Sequence, residues 1–267
     1  QPEEILSTTA LWCRILAFGA PAYMATQAIQ TIQVSRGEVQ VASLAIIMAN
    51  LCNLALNYLF MYPLGLGATG SAWSTLCCEY GMLLFTIAFG WKGLKEIWPG
   101  WESWNPTEQL RLVRLGIPLG LQQGLEYWGF ALCSLLIGQF GSVALSGHSL
   151  VFTLSGLSFM LPLGVSMAAS TRVGQKIGAG QPWGATALLC LGMGMAIMSI
   201  FAVVYGFFPE AILSLFHPPE ATMQVALLLL PIVGAFQLFD GIQVTAFGIL
   251  RGAGDVHIPL WANVIGY

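Results

Sequence analysis

"TMQVALLLLPIVGAFQLFDGIQVTAFGILRGAGD", residues 222–255, carries one charged side chain, Asp240, before Arg251 and Asp255 end it. Its apolar part, 222–249, is long enough as a helix to cross ~30 Å of hydrocarbon at about 1.5 Å per residue. Period-2 alternation, the mark of a barrel strand, is absent. A charged acid near the centre of such a span costs about 2.5–3.5 kcal/mol on insertion scales. Asp240 therefore either holds a proton or meets a cation that comes from outside the protein.

The rest of the chain follows the same pattern. Charged residues make up 8% and hydrophobic residues 57% of the 267 positions, and mean hydropathy is +0.76. Soluble domains carry about 25% charge, so this chain is an all-α integral membrane protein, a polytopic helical bundle. Spans are expected at 12–34, 39–62, 69–90, 114–138, 145–170, 185–208 and 222–249, with an eighth beginning near 258. A net charge of −3 without a basic cluster argues against nucleic acid as a partner. The six cysteines sit in apolar runs without C-x-x-C spacing and read as packing residues. The start at Gln1 without a signal peptide, and the stop at Tyr267 early in an apolar run, read as an internal piece of a longer protein.

Arg36, Lys92, Lys95, Arg111, Arg114, Arg172, Lys176 and Arg251 fall in alternate loops, and only Arg14 breaks the pattern. By the positive-inside rule those loops are cytoplasmic, and the first span runs from outside to inside. The longest loop, "WKGLKEIWPGWESWNPTEQLRLVR" (91–114), divides two bundles, and its four tryptophans read as interfacial anchors. "RGEVQVASLAIIMAN" (36–50) and "RGAGDVHIPLWAN" (251–263) form an internal echo six spans apart, as in transporters built from repeats.

Three acids lie inside spans: Glu79, Glu126 and Asp240. No Lys or Arg is expected at the depth of Glu126 and Asp240, which makes them the candidate cation-coupling pair and, for Na⁺, its candidate ligands. Gln122 and Gln123 precede Glu126 at i−4 and i−3, and Tyr127 follows it. Phe236, Gln237 and Gln243 stand at i−4, i−3 and i+3 of Asp240. These six are the expected substrate and cavity contacts, since amides and aromatics around an acid suit greasy cations. Glu79 and His148 read as helix–helix hydrogen-bonding residues. "RVGQKIGAG" (172–180) follows a membrane helix and lacks the phosphate-loop pattern.

"NLALNYLFMYPLGLGATGSAWST", "RLGIPLGLQQGLEYWGF", "MLPLGVSMAASTRVGQKIGAG" and "FQLFDGIQVTAFGILRGAGD" resemble, in order, segments of the multidrug and toxic compound extrusion (MATE) transporters. The resemblance implies two six-helix lobes, of which the first is incomplete here, and makes the spans family helices four to eleven. Residues 1–95 would then close the N-lobe, 96–112 form a cytoplasmic linker and 113–267 belong to the C-lobe. It also implies export of amphipathic, mostly cationic compounds against Na⁺ or H⁺, with the family's seventh- and tenth-helix acids falling on Glu126 and Asp240. Asp rather than Glu at 240 resembles the bacterial branch, hence a multi-pass protein of the bacterial inner membrane. Two positions depart from the family pattern: Phe236 replaces a frequent Tyr, and Ser149 a frequent Gln.

The function expected is a cation-coupled multidrug antiporter, monomeric, partnered by small amphipathic cations and the lipid bilayer, with no cofactor beyond the coupling ion. The alternative, a lipid-linked oligosaccharide flippase of the same superfamily, calls for basic residues in the cavity. An intramembrane enzyme would need a nucleophile–base pair or metal cluster at one depth, and none is visible. A retinal receptor would need a lysine in its last full helix, whereas Lys92, Lys95 and Lys176 lie in loops.

Overall fold

A computed structural model describes residues 3–97 and 105–266. The helices among them are α1 (Glu3–Ser35), α2 (Val39–Met61), α3 (Gly67–Ile97), α4 (Pro106–Gly138), α5 (Ser142–Gly178), α6 (Gly184–Phe207), α7 (Pro209–Ser214), α8 (Glu220–Gly252) and α9 (His257–Gly266). No strand occurs among the described residues. The chain divides into two compact units, residues 1–104 and 105–267. Trp98, Trp101 and Trp104, expected as interfacial anchors, lie outside the described residues.

Among the described residues five helices, α2, α3, α5, α6 and α8, are long and apolar enough to cross a membrane. The sequence led us to expect seven full spans. The two that fall short, α1 and α4, have the length, at 33 residues each, but carry amide and acid side chains such as Gln27, Gln30, Gln122 and Glu126.

In the first unit α3 packs along both α1 and α2. Most of the buried contacts are small, among them Ala22 and Thr26 on α1, Ala42 and Ala45 on α2, Ala72 and Ser74 on α3. In lipid, packing and interhelical hydrogen bonds hold helices together, so small residues that admit close approach matter most. Asn53 Nδ2 donates to Ser74 Oγ at 3.2 Å, and Ser74 Oγ donates to the Asn53 carbonyl at 3.1 Å. Gln33 Nε2 donates to the Thr86 carbonyl at 3.3 Å.

In the second unit α5, α6 and α8, joined by the short α7, form the core, with Val151, Leu154, Tyr205, Leu213, Ala226 and Leu230 buried together. Tyr205 donates its hydroxyl to the Leu154 carbonyl at 2.9 Å, which locks α6 to α5. α4 and α9 pack on one another, α4 also against α5 and α9 against α8. α4 starts within the segment read as linker: Asn105 Oδ1 accepts from the Thr107 N–H at 3.0 Å, with Pro106 at the first helical position.

The turns after α1 and α8 are alike. Gly37 and Gly254 have φ of 88° and 85°, and each is followed by an acid whose N–H reaches five residues back, Glu38 to Gln33 O and Asp255 to Leu250 O, both at 2.9 Å. Registered on these glycines, Arg36 is one residue before the turn and pairs with Glu38 at 3.3 Å. Arg251 sits two residues earlier, inside the last helical turn. Left-handed backbone disfavours any side chain with a Cβ. Gly254→Ala is therefore expected to cost roughly 1–2 kcal/mol, read as an earlier thermal unfolding of the detergent-solubilised full-length protein, with Gly37→Ala behaving alike.

Candidate functional site

Glu126 on α4 and Asp240 on α8 are both half-buried. Their carboxyl groups are close enough for the two charges to interact. Glu126 also lies within electrostatic reach of Arg251. The expectation that no Lys or Arg lies at the depth of these acids is thus corrected for Glu126, which feels the Arg251 charge. Because α8 runs on to Gly252, Arg251 is a helical residue that folds back along its own helix. Its Nε donates to the Phe247 carbonyl and its guanidinium Nη2 to Ser166 Oγ, both at 3.2 Å. Ser166 is fully buried and donates in turn to the Val244 carbonyl at 2.6 Å.

The six expected contacts separate by helix face. Gln122 is buried and Gln123 exposed, as neighbours about 100° apart around a helix must be when one face is covered. Tyr127 and Phe236 are exposed. Gln237 is fully buried in the seam between α8 and α5, where its Nε2 donates to Ser158 Oγ and, at 3.4 Å, to Ser155 Oγ. Gln243 points to α9, where its Nε2 donates to Asn263 Oδ1 at 3.3 Å. Among the described residues no three His, Cys, Asp or Glu converge.

His148 on α5 lies 3.5 Å from Ser134 Oγ on α4, with its ring over Phe152, in keeping with a structural role. In the first unit, among the described residues, Glu79 does not make the interhelical hydrogen bond expected of it. It lies in the wall of a cavity of about 360 Å³, with Gln27, Gln30, Asn50, Asn53 and Thr75. Its buried Oε2 has no hydrogen-bond partner among the described residues. Room for that carboxyl comes from Gly19, where a Cβ would stand 1.8 Å from Oε2.

The family model MatE matches residues 118–267, which hold α4 from Pro118 through α9, with Glu126 and Asp240 among them. The whole chain is 29% identical to "Multidrug and toxin extrusion protein 1" of Danio rerio and covers 46% of it. It is 32% identical over 227 residues to the Homo sapiens protein of the same name, matching 83% of this chain and 40% of that protein. To "Probable multidrug resistance protein NorM" of Acinetobacter baylyi it is 27% identical, covering all of this chain and 62% of that protein. The chain therefore spans 40% to 62% of the length of these relatives. Among solved structures, a multidrug resistance MATE family transporter in an outward-facing conformation superimposes with a TM-score of 0.85 at 18% identity, over 95% of this chain and 58% of that one. A variant of the Vibrio cholerae MATE transporter VcmN gives 0.86 at 17% identity, over 99% and 61%. These two likenesses concern the fold.

Proposed function

Because this chain belongs to the MatE family, we propose that it forms the central part of a cation-coupled antiporter that exports amphipathic, mostly cationic compounds from a bacterial cell across its inner membrane. The observation that carries this reading is the pair of half-buried carboxyl groups, Glu126 and Asp240, on two helices of one bundle. Ionised carboxylates there are costly unless neutralised. A proton, a Na⁺ ion or the positive end of a drug can each supply the missing charge, and each excludes the others. If the coupling cation favours the outward-facing state and the substrate the inward-facing one, occupancy of the same charges links the two fluxes. The exposed rings of Phe236 and Tyr127 offer flat apolar surface to a greasy cation.

Competition is directly measurable. The full-length protein in detergent is titrated with a fluorescent amphipathic cation at increasing Na⁺, at constant ionic strength, and separately at decreasing pH. One of the two cations is expected to weaken dye binding by about 5- to 150-fold, the usual span of a coupling free energy. Dye affinity indifferent to both Na⁺ and pH would overturn the reading.

A further inference from the structure

We propose that Asn263 on α9 is a positioning residue that sets the separation of the two acid-bearing helices. This rests on the reading of Glu126 and Asp240 as the coupling pair. Among the described residues, α4 and α8 do not pack against each other; α9 packs against both. α4 and α8 are therefore joined only indirectly, through α5, which packs against both, and through α9, which brings a direct side-chain link to each.

Asn263 spans that gap. It is only 2% exposed. Its Nδ2 donates to the backbone carbonyl of Gln122 on α4 at 3.3 Å, and its Oδ1 accepts from Gln243 Nε2 on α8 at 3.3 Å. Both ends of the amide are thus used, one toward each acid-bearing helix. Gln122 lies one turn before Glu126, and in a regular α-helix its carbonyl also accepts the Glu126 N–H. Gln243 lies one turn after Asp240. The bridge therefore grips each helix within one turn of its acid.

The residue type agrees with that job. A buried amide is costly unless hydrogen-bonded, and Asn is a poor helix former. In the apolar run "IPLWANVIG" a leucine would serve insertion and packing better. Asn presents a donor and an acceptor on one short, stiff stem, which a two-sided bridge requires. The register of α9 is itself fixed at its start, where Asp255 Oδ1 accepts from the N–H groups of His257 at 2.9 Å and Ile258 at 3.1 Å. Asn50, its partner in the sequence echo, does something else. It stands one helical turn farther from its turn glycine, and its Nδ2 donates within its own helix to the Ile46 carbonyl at 2.9 Å.

The test uses the full-length protein in liposomes, with dye transport driven by the coupling cation. Asn263→Leu removes both hydrogen bonds at nearly constant volume. It is expected to raise the cation concentration for half-maximal transport by about threefold to tenfold, one hydrogen bond's net worth or slightly more. Dye affinity without the cation should stay the same. Gln243→Leu cuts only the α8 side of the bridge and should shift the half-saturating concentration by a smaller factor. The double variant should shift it no more than Asn263→Leu alone. Should Asn263→Leu fail to reach the membrane, Gln243→Leu carries the test, and no shift there overturns the proposal. If Glu126→Gln abolishes cation dependence in the same assay while Asn263→Leu leaves the half-saturating concentration unmoved, the bridge is refuted and the coupling pair stands. If Glu126→Gln and Asp240→Asn both leave cation dependence intact, the coupling reading falls and the proposal with it.

Discussion

Gly248→Ala is expected to cost about 1–3 kcal/mol of stability or more. α8 meets the backbone of α5 closely at two glycines one turn apart. A Cβ at Gly248 would stand 2.3 Å from the Ser166 carbonyl oxygen, and one at Gly252 2.4 Å from that of Ser170. Both obstacles are backbone, so no rotamer change makes room and the helices must part. Parting them opens the seam that buries Ala169, Val173 and Ile249, and strains the Ser166 bridge that holds Arg251. The matched control is Gly192→Ala on α6, where nothing lies within 4 Å. There alanine should be neutral or stabilising by roughly 0.5–1 kcal/mol, because it is the better helix former. Thermal unfolding of the two variants in detergent should therefore move in opposite directions, or at least by clearly different amounts. Equal, small shifts would mean that the α5–α8 contact is not as close as described.

Much of this architecture was legible in the residues. Apolar runs of span length ended by glycine or proline place α2 and α6 to within a residue or two. The ends that went astray depend on local chemistry rather than hydropathy. Asn105-Pro106-Thr107-Glu108 is a helix start, with a capping side chain, a proline at the first position and an acid in the first turn. It lies in a charged stretch that reads as linker. α7 likewise begins with a proline at a helical first position, in a stretch too short to announce itself by periodicity.

The site was legible as chemistry and less so as geometry. Composition singles out Glu126 and Asp240 because almost nothing else in the spans is ionisable. The fate of their neighbours depends on helix faces. Residues three before and three after an acid lie roughly 120° apart around the axis. Gln237 and Gln243 accordingly diverge, the first into the α5 seam and the second toward α9. Arg251 reads as a loop residue because "RG" resembles the turn itself, whereas the helix runs on to Gly252 and the left-handed glycine is Gly254. Asn263 was visible as half of a sequence echo, but its partners lie 141 and 20 residues away, and only the folded chain brings them together.

The largest functional effect is expected from the two acids themselves. Asp240→Asn and Glu126→Gln keep the shape of each side chain and most of its hydrogen-bonding capacity while deleting the charge. In the proposed mechanism that charge is the only thing cation and substrate have in common. Loss of either carboxylate should therefore uncouple the fluxes rather than merely slow them. Dye can still bind through the rings of Phe236 and Tyr127, but a cation no longer displaces it. Because the two carboxyl groups feel each other, and Glu126 also feels the Arg251 charge, neutralising one also changes the field at the other. The double variant should accordingly differ little from the more severe single one.

The decisive measurement is dye efflux by the full-length protein in liposomes with an imposed Na⁺ or proton gradient, compared among the native chain, Glu126→Gln and Asp240→Asn. The native chain should accelerate efflux when the gradient is applied, and the variants should lose that acceleration, by about tenfold or more, while still inserting in the membrane. Variants whose efflux responds to the gradient as the native chain's does would contradict the account.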